Sequence, residues 1–267
     1  MPPPEPLPAE ALDGHCHLDL IEQPAGEVLA AARAANIRRV LTIGVDLASS
    51  HWAARCAAGH DDVYAAVAVH PNETAAAQES AQGRAGVLAE IAALAALPQV
   101  RAIGETGLDY YRDHAGPDIQ RDWFRAHIAI AKQAGKALMI HDRDAHGDVL
   151  RILAEEGPPE KVVFHCFSGD AAMAKQCAEA GYVMSFAGNV TFKNAEPLRE
   201  AALAAPEDLL LPETDAPFLT PVPHRGKPNT PAMVAHTIRF LAELKRVPVA
   251  GFCEQVNATA GRLYGPW

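Results

Sequence analysis

The chain has 267 residues, of which 49% are hydrophobic and 21% charged, a composition typical of a globular protein with a sizeable core. Its formal net charge of −10 argues against a sequence-specific DNA-binding protein, because such proteins usually carry a broad basic surface. The charge leaves open an enzyme that meets phosphodiesters through a metal site and a few local cations. No segment approaches about 18 consecutive apolar residues, so we expect no membrane span.

The chain start and the cysteines set two further expectations. Residues 1–10 are rich in proline and lack apolar periodicity, so we expect a flexible arm, followed by one domain over residues 11–267. These residues also lack the basic start and apolar run of a signal peptide. The five cysteines are odd in number and form no CxxC pair, which favours a reduced, cytoplasmic protein over a disulfide framework.

Short runs rich in β-branched residues alternate with alanine-rich stretches along the chain, a pattern that predicts βα units and a parallel sheet. The predicted strands are 11–16, 38–43, 63–69, 100–104, 137–141, 161–165, 182–186 and 208–211. The predicted helices between them are 27–35, 47–58, 84–97, 117–135, 144–156 and 170–180. Residues 189–207 are weakly periodic and predict a short or irregular helix. Two final helices, 231–245 and 249–263, are expected outside the sheet.

Eight strands in such alternation favour a single (β/α)8 TIM-type barrel with extra C-terminal helices over an open doubly wound sheet. No GxGxxG or GxxxxGK[ST] motif follows the first strand, which removes the commonest nucleotide-binding alternatives. Pro231 suits the first turn of the penultimate helix, and Thr230 is its expected N-cap.

Metal-competent side chains recur at the C-terminal ends of the predicted strands, the face where barrel enzymes place their active sites. Alternation along the first strand puts two histidines on one side and Cys16 on the other. A lone histidine at a strand end is more often structural than a ligand, and Asp215 alone could be a helix cap. The whole set is much harder to obtain by chance: His15, His17, Glu105, His141, His165 and Asp215.

Imidazole and carboxylate ligands without a thiolate suit divalent ions such as Mg, Mn or Zn. Six ligands exceed the four of a tetrahedral zinc site but suit two ions that share a carboxylate. Two such ions can activate a water molecule and stabilise both the attacking and the leaving oxygen. The sequence therefore predicts two divalent metal ions and a hydrolase.

At this point the residues resemble a known family. The segments DGHCHLD, GETGLDYY, HDRDAH, HCFSG and ETDAPFL look like the signature set of the TatD family of metal-dependent hydrolases, commonly described as deoxyribonucleases. AVHPN, GNVTFKNA and PHRGKPNTP add to the match, which runs from about residue 11 to 263. The HxH pair is weak evidence alone, whereas the ordered set is highly specific.

The resemblance implies a role for each matching position. His15, His17 and Asp215 would hold one ion, His141 and His165 the other, and Glu105 would bridge them. Glu105 and Asp215 are the expected catalytic residues, and Asp215 could also orient or deprotonate the attacking water. Glu213 could assist as an outer carboxylate or at a third metal position, or it could be only a carboxylate at a solvated edge. The implied activity is a 3′–5′ exonuclease or phosphodiesterase that acts on DNA.

An acidic protein that binds phosphate needs local cations, and several candidates fall on loops at the same predicted face. These tentative substrate-binding residues are His70, Arg143, Lys193, His224, Arg225 and Lys227. Many relatives carry a second histidine where this sequence has Asn72, which puts that part of substrate binding in doubt. Tyr110 and Tyr111 could stack on a base, although packing under their loop is the favoured role.

Two other functions compete with the nuclease. A metal-dependent deacylase or amidohydrolase, for example one that removes a D-amino acid from tRNA, would use the same site, because two ions polarise a carbonyl as readily as a phosphoryl group. A noncatalytic binding protein would be expected to have lost a ligand, and all six are present. The expected partner is DNA or another phosphodiester, and nothing in the surface pattern requires more than a monomer.

Overall fold

The computed structural model describes residues 3–112 and 114–266. Eight strands alternate with helices, and the order of the strands in the sheet follows the chain order. The strands are β1 (Ala11–Cys16), β2 (Ile37–Ile43), β3 (Val63–Val67), β4 (Val100–Asp109), β5 (Ala137–Arg143), β6 (Val162–Phe164), β7 (Val183–Phe186) and β8 (Leu210–Pro212). The β3–β4, β4–β5, β5–β6 and β7–β8 pairs are parallel. This is the element order of the predicted (β/α)8 fold.

All but the last two helices lie between successive strands, and the last two follow β8. The helices are α1 (Ala25–Ala34), α2 (Leu47–Gly59), α3 (Thr74–Glu79), α4 (Gly83–Ala95), α5 (Pro117–Ala134), α6 (His146–Glu156), α7 (Ala171–Glu179), α8 (Glu196–Ala204), α9 (Val234–Lys245) and α10 (Val249–Tyr264). Local sequence sets several of their ends. Helix α5 starts with Pro117 and ends at Gly135 in the left-handed conformation. None of the helices in the described ranges is both apolar enough and long enough to cross a membrane.

The chain divides into two compact units. The central unit is Thr42–Phe164, and the terminal unit combines Met1–Leu41 with His165–Trp267. In the central unit, β4 and β5 are almost fully buried, and Trp123 and Phe124 of α5 are completely buried. In the terminal unit, the last two helices supply fully buried side chains such as Ile238, Leu241 and Val256. Burial of this kind is the main source of stability for each unit.

Several predicted boundaries were wrong. Strand β4 runs to Asp109 rather than 104, so the expected strand-end Glu105 lies inside the strand. Helix α3 was not predicted, whereas the short helix expected within residues 189–207 is α8, which has 9 residues and follows a 3-10 turn. The segment from Pro231 begins as a 3-10 turn before α9, and Thr230 makes no side-chain capping hydrogen bond. The secondary structure of short polar or alanine-rich segments depends on tertiary packing, which intrinsic helix propensity does not take into account.

The proline-rich arm makes defined contacts where it is described, and its residues 1 and 2 lie outside the described ranges. Leu7 is buried, its N–H donates to the Ala35 carbonyl at 3.1 Å, and its carbonyl accepts from the Asn36 side chain at 3.1 Å. Arg239 donates to the carbonyls of Glu5 and Pro6. The flexibility of the arm stays a prediction.

Strand β4 contains an irregularity next to Glu105. Ile103 pairs with Leu138 and Thr106 with Ile140, so three steps along β4 match two along β5. Such a bulge redirects a side chain from simple alternation. Gly107 follows at φ +139°, where a Cβ atom would overlap the carbonyl oxygen of His141. The close approach of β4 and β5 at His141 therefore requires glycine.

Gly107→Ala should displace β5 at His141, because the added methyl has no space and the backbone conformation is strained for alanine. We expect a loss of about 2–4 kcal/mol in the free energy of unfolding, measured by urea denaturation. The control is Gly147→Ala in α6, where a Cβ meets nothing within 4 Å and alanine favours the helix. Equal stability of the two variants would contradict this account of Gly107.

Candidate metal centre

In the terminal unit, the end of β1 brings two imidazoles to one carboxylate. The Nε2 atoms of His15 and His17 lie 3.3 Å apart, at 3.6 and 3.5 Å respectively from Oδ1 of Asp215. Both histidines are buried, and Asp215 is held by a hydrogen bond from its own N–H to the His15 carbonyl at 2.9 Å. Cys16 points away and contacts the Leu41 carbonyl at 3.6 Å, as alternation predicted.

His165, just after β6 in the chain, joins this group from the other side of His15. Its ring stacks on that of His15 with centroids 3.9 Å apart and an interplanar angle of 11°. Its Nδ1 lies 3.3 Å from Oε1 of Glu213, which also accepts the Cys166 N–H at 2.9 Å. Glu213 is fully buried and so orients His165 rather than lying at a solvated edge. Donor atoms of His15, His165 and Asp215 all lie within 4.8 Å of one another.

A second buried carboxylate holds the ends of β1 and β8 together. Asp13 accepts from the Thr214 N–H at 2.8 Å, from its hydroxyl at 2.5 Å and from the His15 N–H at 3.3 Å. Burial raises the pKa of Asp13 well above its usual value despite these hydrogen bonds. Because Asp13 contacts the neighbours of the site residues, it fixes the backbones that carry His15 and Asp215.

In the central unit, β4 and β5 bring Glu105 and His141 together. Nδ1 of His141 lies 3.4 Å from Oε2 of Glu105, and its Nε2 lies 3.2 Å from Oδ2 of Asp109. Glu105 is 4% exposed, so its carboxylate is nearly dry. The two imidazole nitrogens therefore face different carboxylates, with Nδ1 directed towards the predicted ligand Glu105.

Asp109 is the centre of a local network. Its Oδ1 accepts from the N–H groups of Tyr111 and Arg112 at 3.0 and 2.9 Å, and its Oδ2 accepts from the Asn72 side chain at 3.1 Å. Burial opposes its ionisation, but hydrogen bonds from His141, Arg112 and Asn72 outweigh it and lower the pKa of Asp109 far below its usual value. An ionised carboxylate of this kind fixes the orientation and tautomer of a metal-binding histidine.

His127 of α5 contacts β4 and the segment that follows β3. Its ring is fully buried, with Nδ1 2.7 Å from the Thr106 hydroxyl, and its Nε2 accepts the Val69 N–H at 3.4 Å. Nε2 therefore carries no proton, and Nδ1 donates. Burial lowers the pKa of His127 to about 3, with a smaller contribution from Arg84. The neutral ring thus links Val69, next to His70, to Thr106, next to Glu105.

The donors in each unit fit a divalent cation. Ligands about 2.0–2.2 Å from one ion lie roughly 3–3.6 Å apart, which matches the His15, His17 and Asp215 separations in the terminal unit. The His141–Glu105 separation in the central unit matches as well. Separations of 3.4–3.6 Å are long for hydrogen bonds, so these atoms converge on a common point more than they pair with one another.

The tentative substrate residues fall into two groups. In the central unit, His70 lies after β3 with its ring 4.4 Å from that of His141, and the Arg143 guanidinium lies 4.0 Å from the Tyr111 ring centroid. His70, Asp109 and His141 have donor atoms within 4.8 Å of one another, a group the sequence did not single out. In the terminal unit, Lys193, Arg225 and Lys227 are exposed on loops, and the His224 ring contacts His236.

The chain is similar to known proteins over nearly its whole length. The family described as "TatD related DNase" matches residues 12–265. A metal-dependent hydrolase named TatD from Mycobacterium tuberculosis is 43% identical over 263 residues, which cover 95% of this chain and 97% of that protein. The metal-dependent hydrolase YabD of Bacillus subtilis is 39% identical, covering 94% and 98%. The chain belongs to the TatD family of metal-dependent hydrolases.

Solved structures of TatD proteins share the fold. The TatD homologue YjjV of Escherichia coli superposes with a TM-score of 0.88 at 24% identity, covering 96% of this chain and 98% of YjjV. A TatD family hydrolase of Entamoeba histolytica gives 0.82 at 19% identity, covering 97% and 99%. The predicted (β/α)8 fold class is confirmed. The ligand roles of the six residues stay a prediction, as do those of the substrate residues.

Sequence reasoning missed the supporting carboxylates of this TatD protein. Asp13 lies two residues before the predicted ligand His15 in β1, so strand periodicity could have flagged it as inward-facing. Asp109 lies five residues beyond the predicted end of its strand and after the bulge, so periodicity gave no signal for it. Their partners were not foreseeable, because Thr214 and Asn72 lie 201 and 37 residues away in the chain.

Asp109→Asn should weaken metal binding in the central unit without unfolding it. Asparagine keeps an acceptor for the Tyr111 and Arg112 N–H groups but removes the charge that faces His141. We expect a 10–100-fold loss of affinity for one ion, measured by isothermal titration of metal-free protein. The matched control is Glu90→Gln, which breaks an exposed carboxylate–histidine pair with His51 at 3.0 Å. Equal metal affinities of the two variants would contradict the orienting role of Asp109.

The buried His127 should make the protein less stable in acid. Its pKa rises from about 3 in the folded chain to about 6.5 in the unfolded chain, so below pH 6.5 the unfolded state binds one proton more. Stability should fall by up to about 1.4 kcal/mol per pH unit from this group as the pH drops from 6.5 towards 4. His127→Gln lacks this loss. Urea denaturation of both proteins at pH 7.5, 6 and 5 should show the stability gap narrowing; a constant gap would refute the prediction.

Proposed function

We propose that this TatD-family hydrolase is a metal-dependent phosphodiesterase that removes nucleotides from the 3′ end of DNA. The observation that carries the proposal is the approach of His15 and His17 to a single carboxylate oxygen of Asp215 at 3.6 and 3.5 Å. Such a set of largely buried imidazole and carboxylate donors suits hydrolysis assisted by divalent ions. The family description as a DNase supports the choice of DNA.

The proposal assigns the residues as the family resemblance does. His15, His17 and Asp215 would hold one divalent ion, His141 and His165 would hold the other, and Glu105 would be the shared carboxylate. Once bound, such ions would supply Lewis-acid chemistry, by which a phosphoryl group is polarised and a water molecule is activated. Mg, Mn and Zn all accept this mixture of nitrogen and oxygen donors. The support within each unit is the match of donor separations to a common ion.

The chain's own residues orient the reaction. Asp215 is only partly exposed, and its position after β8 is fixed by its N–H bond to His15 and by the Asp13–Thr214 hydrogen bonds. In the proposed reaction Asp215 aligns the attacking water and accepts its proton. Glu213 and Asp109 hold the rings of His165 and His141 in one tautomer, so neither ring has to reorient during turnover.

Phosphate binding in a chain of net charge −10 depends on local cations. Lys193, Arg225 and Lys227 are exposed on loops of the terminal unit, and the Arg225 guanidinium lies 4.3 Å from the Phe192 ring centroid. Arg143 supplies a cation in the central unit. Because these cations are few, the affinity for substrate should fall only slightly as the salt concentration rises. A broad DNA-binding surface would show a much steeper fall.

The decisive test is hydrolysis of a labelled single-stranded DNA by metal-depleted protein, before and after Mg, Mn or Zn is added. We expect stepwise shortening from the 3′ end only with metal. Asp215→Asn should slow it by about 10²–10⁴-fold, because the group that takes the proton is lost. Glu105→Ala should abolish it.

The control is Asp170→Asn in the same unit, which changes only the N-cap of α7 and should leave the rate unchanged, since asparagine caps as well as aspartate. No cleavage with any of the three metals, in protein that binds two ions, would refute the nuclease proposal. Cleavage that survives Glu105→Ala would refute the assignment of Glu105 as the shared ligand.

A further inference from the structure

The loop that follows β4 presents an aromatic ring to solvent. Tyr111 is 63% exposed, the highest fraction among the exposed large hydrophobic side chains in the described ranges. It does not pack under its loop, as the sequence had favoured. That role falls to Tyr110, whose hydroxyl donates to Asp148 at 2.6 Å. A single exposed aromatic ring is ordinary on a protein surface, and what distinguishes Tyr111 is its neighbours.

Arg143 covers one face of this ring. Its guanidinium carbon lies 4.0 Å from the Tyr111 centroid, a cation–π contact that orders both side chains. Three other arginines of the central unit pair with carboxylates: Arg121 with Asp118 and Asp148, Arg125 with Glu155 and Glu156, and Arg151 with Asp148 and Glu155. Arg143 has no ion pair within the described part of the chain, so its N–H donors are available to an anion.

The pair is held at a fixed place relative to His141. Asp109 and Arg143 are register partners at the ends of β4 and β5, one pair beyond Leu108 and Asp142. The same Asp109 carboxylate bonds the Tyr111 N–H and contacts His141. Arg143 lies two residues beyond His141 in β5, a span of about 6.6 Å along the strand.

We propose that Tyr111 and Arg143 form a subsite for an unstacked nucleobase and its phosphate in single-stranded nucleic acid. This inference rests on the proposed function, because it names the substrate feature that the same site recognises. The open part of the Tyr111 ring stacks on the base, and the Arg143 guanidinium, already ordered by that ring, donates to the phosphate. A base paired within a duplex does not offer its face, so the subsite selects single-stranded or frayed ends.

The test is the binding of two labelled chains to the full-length protein without added metal, so that neither is cut. One is an eight-residue thymidine oligonucleotide, and the other is an abasic chain of the same length and charge. Wild-type protein should bind the thymidine chain about tenfold more tightly, as measured by fluorescence anisotropy. Tyr111→Ala should remove this preference, and Tyr111→Phe should keep it because the ring is retained.

A matched control exists in the same unit. The guanidinium carbon of Arg101 lies 4.2 Å from the ring centroid of Tyr64. Both residues lie near the starts of their strands, β4 and β3, whereas Tyr111 follows the end of β4. Tyr64→Ala should leave the preference unchanged. Arg143→Ala should weaken the binding of both oligonucleotides. It should also reduce the slope of log affinity against log salt concentration by about 0.7, the value for one phosphate of a single strand.

Equal affinity of wild-type protein for the two chains would overturn the subsite. So would a Tyr111→Ala variant that keeps the preference, or that loses affinity for both chains equally. The binding test is independent of turnover. Base-dependent binding that is lost in Tyr111→Ala, in a protein that cuts no DNA with any metal, would uphold the subsite and refute only the nuclease reaction.

Discussion

A carboxylate buried in a protein must be surrounded by donors, and this requirement positions the site in both units. In the terminal unit, Asp13 accepts from the backbone and the hydroxyl of Thr214, which ties the end of β1 to the segment after β8. In the central unit, Asp109 accepts from the loop that follows it while it faces His141. Removing a partner from either carboxylate leaves a buried acceptor unsatisfied, which is costly. The geometry of the donors is therefore tied to the stability of the strand ends.

This arrangement separates rigid chemistry from adaptable recognition. The histidines lie in or directly after strands and are held by carboxylates, Glu213 for His165 and Asp109 for His141. The cations and exposed aromatic rings lie at the outer ends of strands or on loops. Rigid strand ends preserve the positions that a metal requires, whereas loops change without cost to the core. Family membership accordingly identifies a metal-dependent hydrolase, while the bond it cleaves depends on the loops.

The two Arg–aromatic pairs at predicted substrate positions illustrate how an acidic chain can bind an anion. Arg143 on Tyr111 and Arg225 on Phe192 are each ordered by a ring rather than by a carboxylate. A carboxylate partner would neutralise the guanidinium, whereas a ring leaves its charge and its donors in place. A chain with net charge −10 can in this way keep a locally positive contact for phosphate.

The sequence by itself determined the fold class, because eight alternating units leave few other solutions, and it placed His15 and His17 on one side of β1, because strand periodicity is local. The tertiary structure alone decided which partners hold these residues. Glu105 depends on a bulge set by pairing with β5, and Asp109 depends on Asn72, 37 residues earlier in the chain. The exposure of Tyr111 was likewise undetermined, since burial depends on which distant elements cover a loop. Local periodicity follows directly from the order of the residues, whereas contacts between residues far apart in the chain form only when the chain folds.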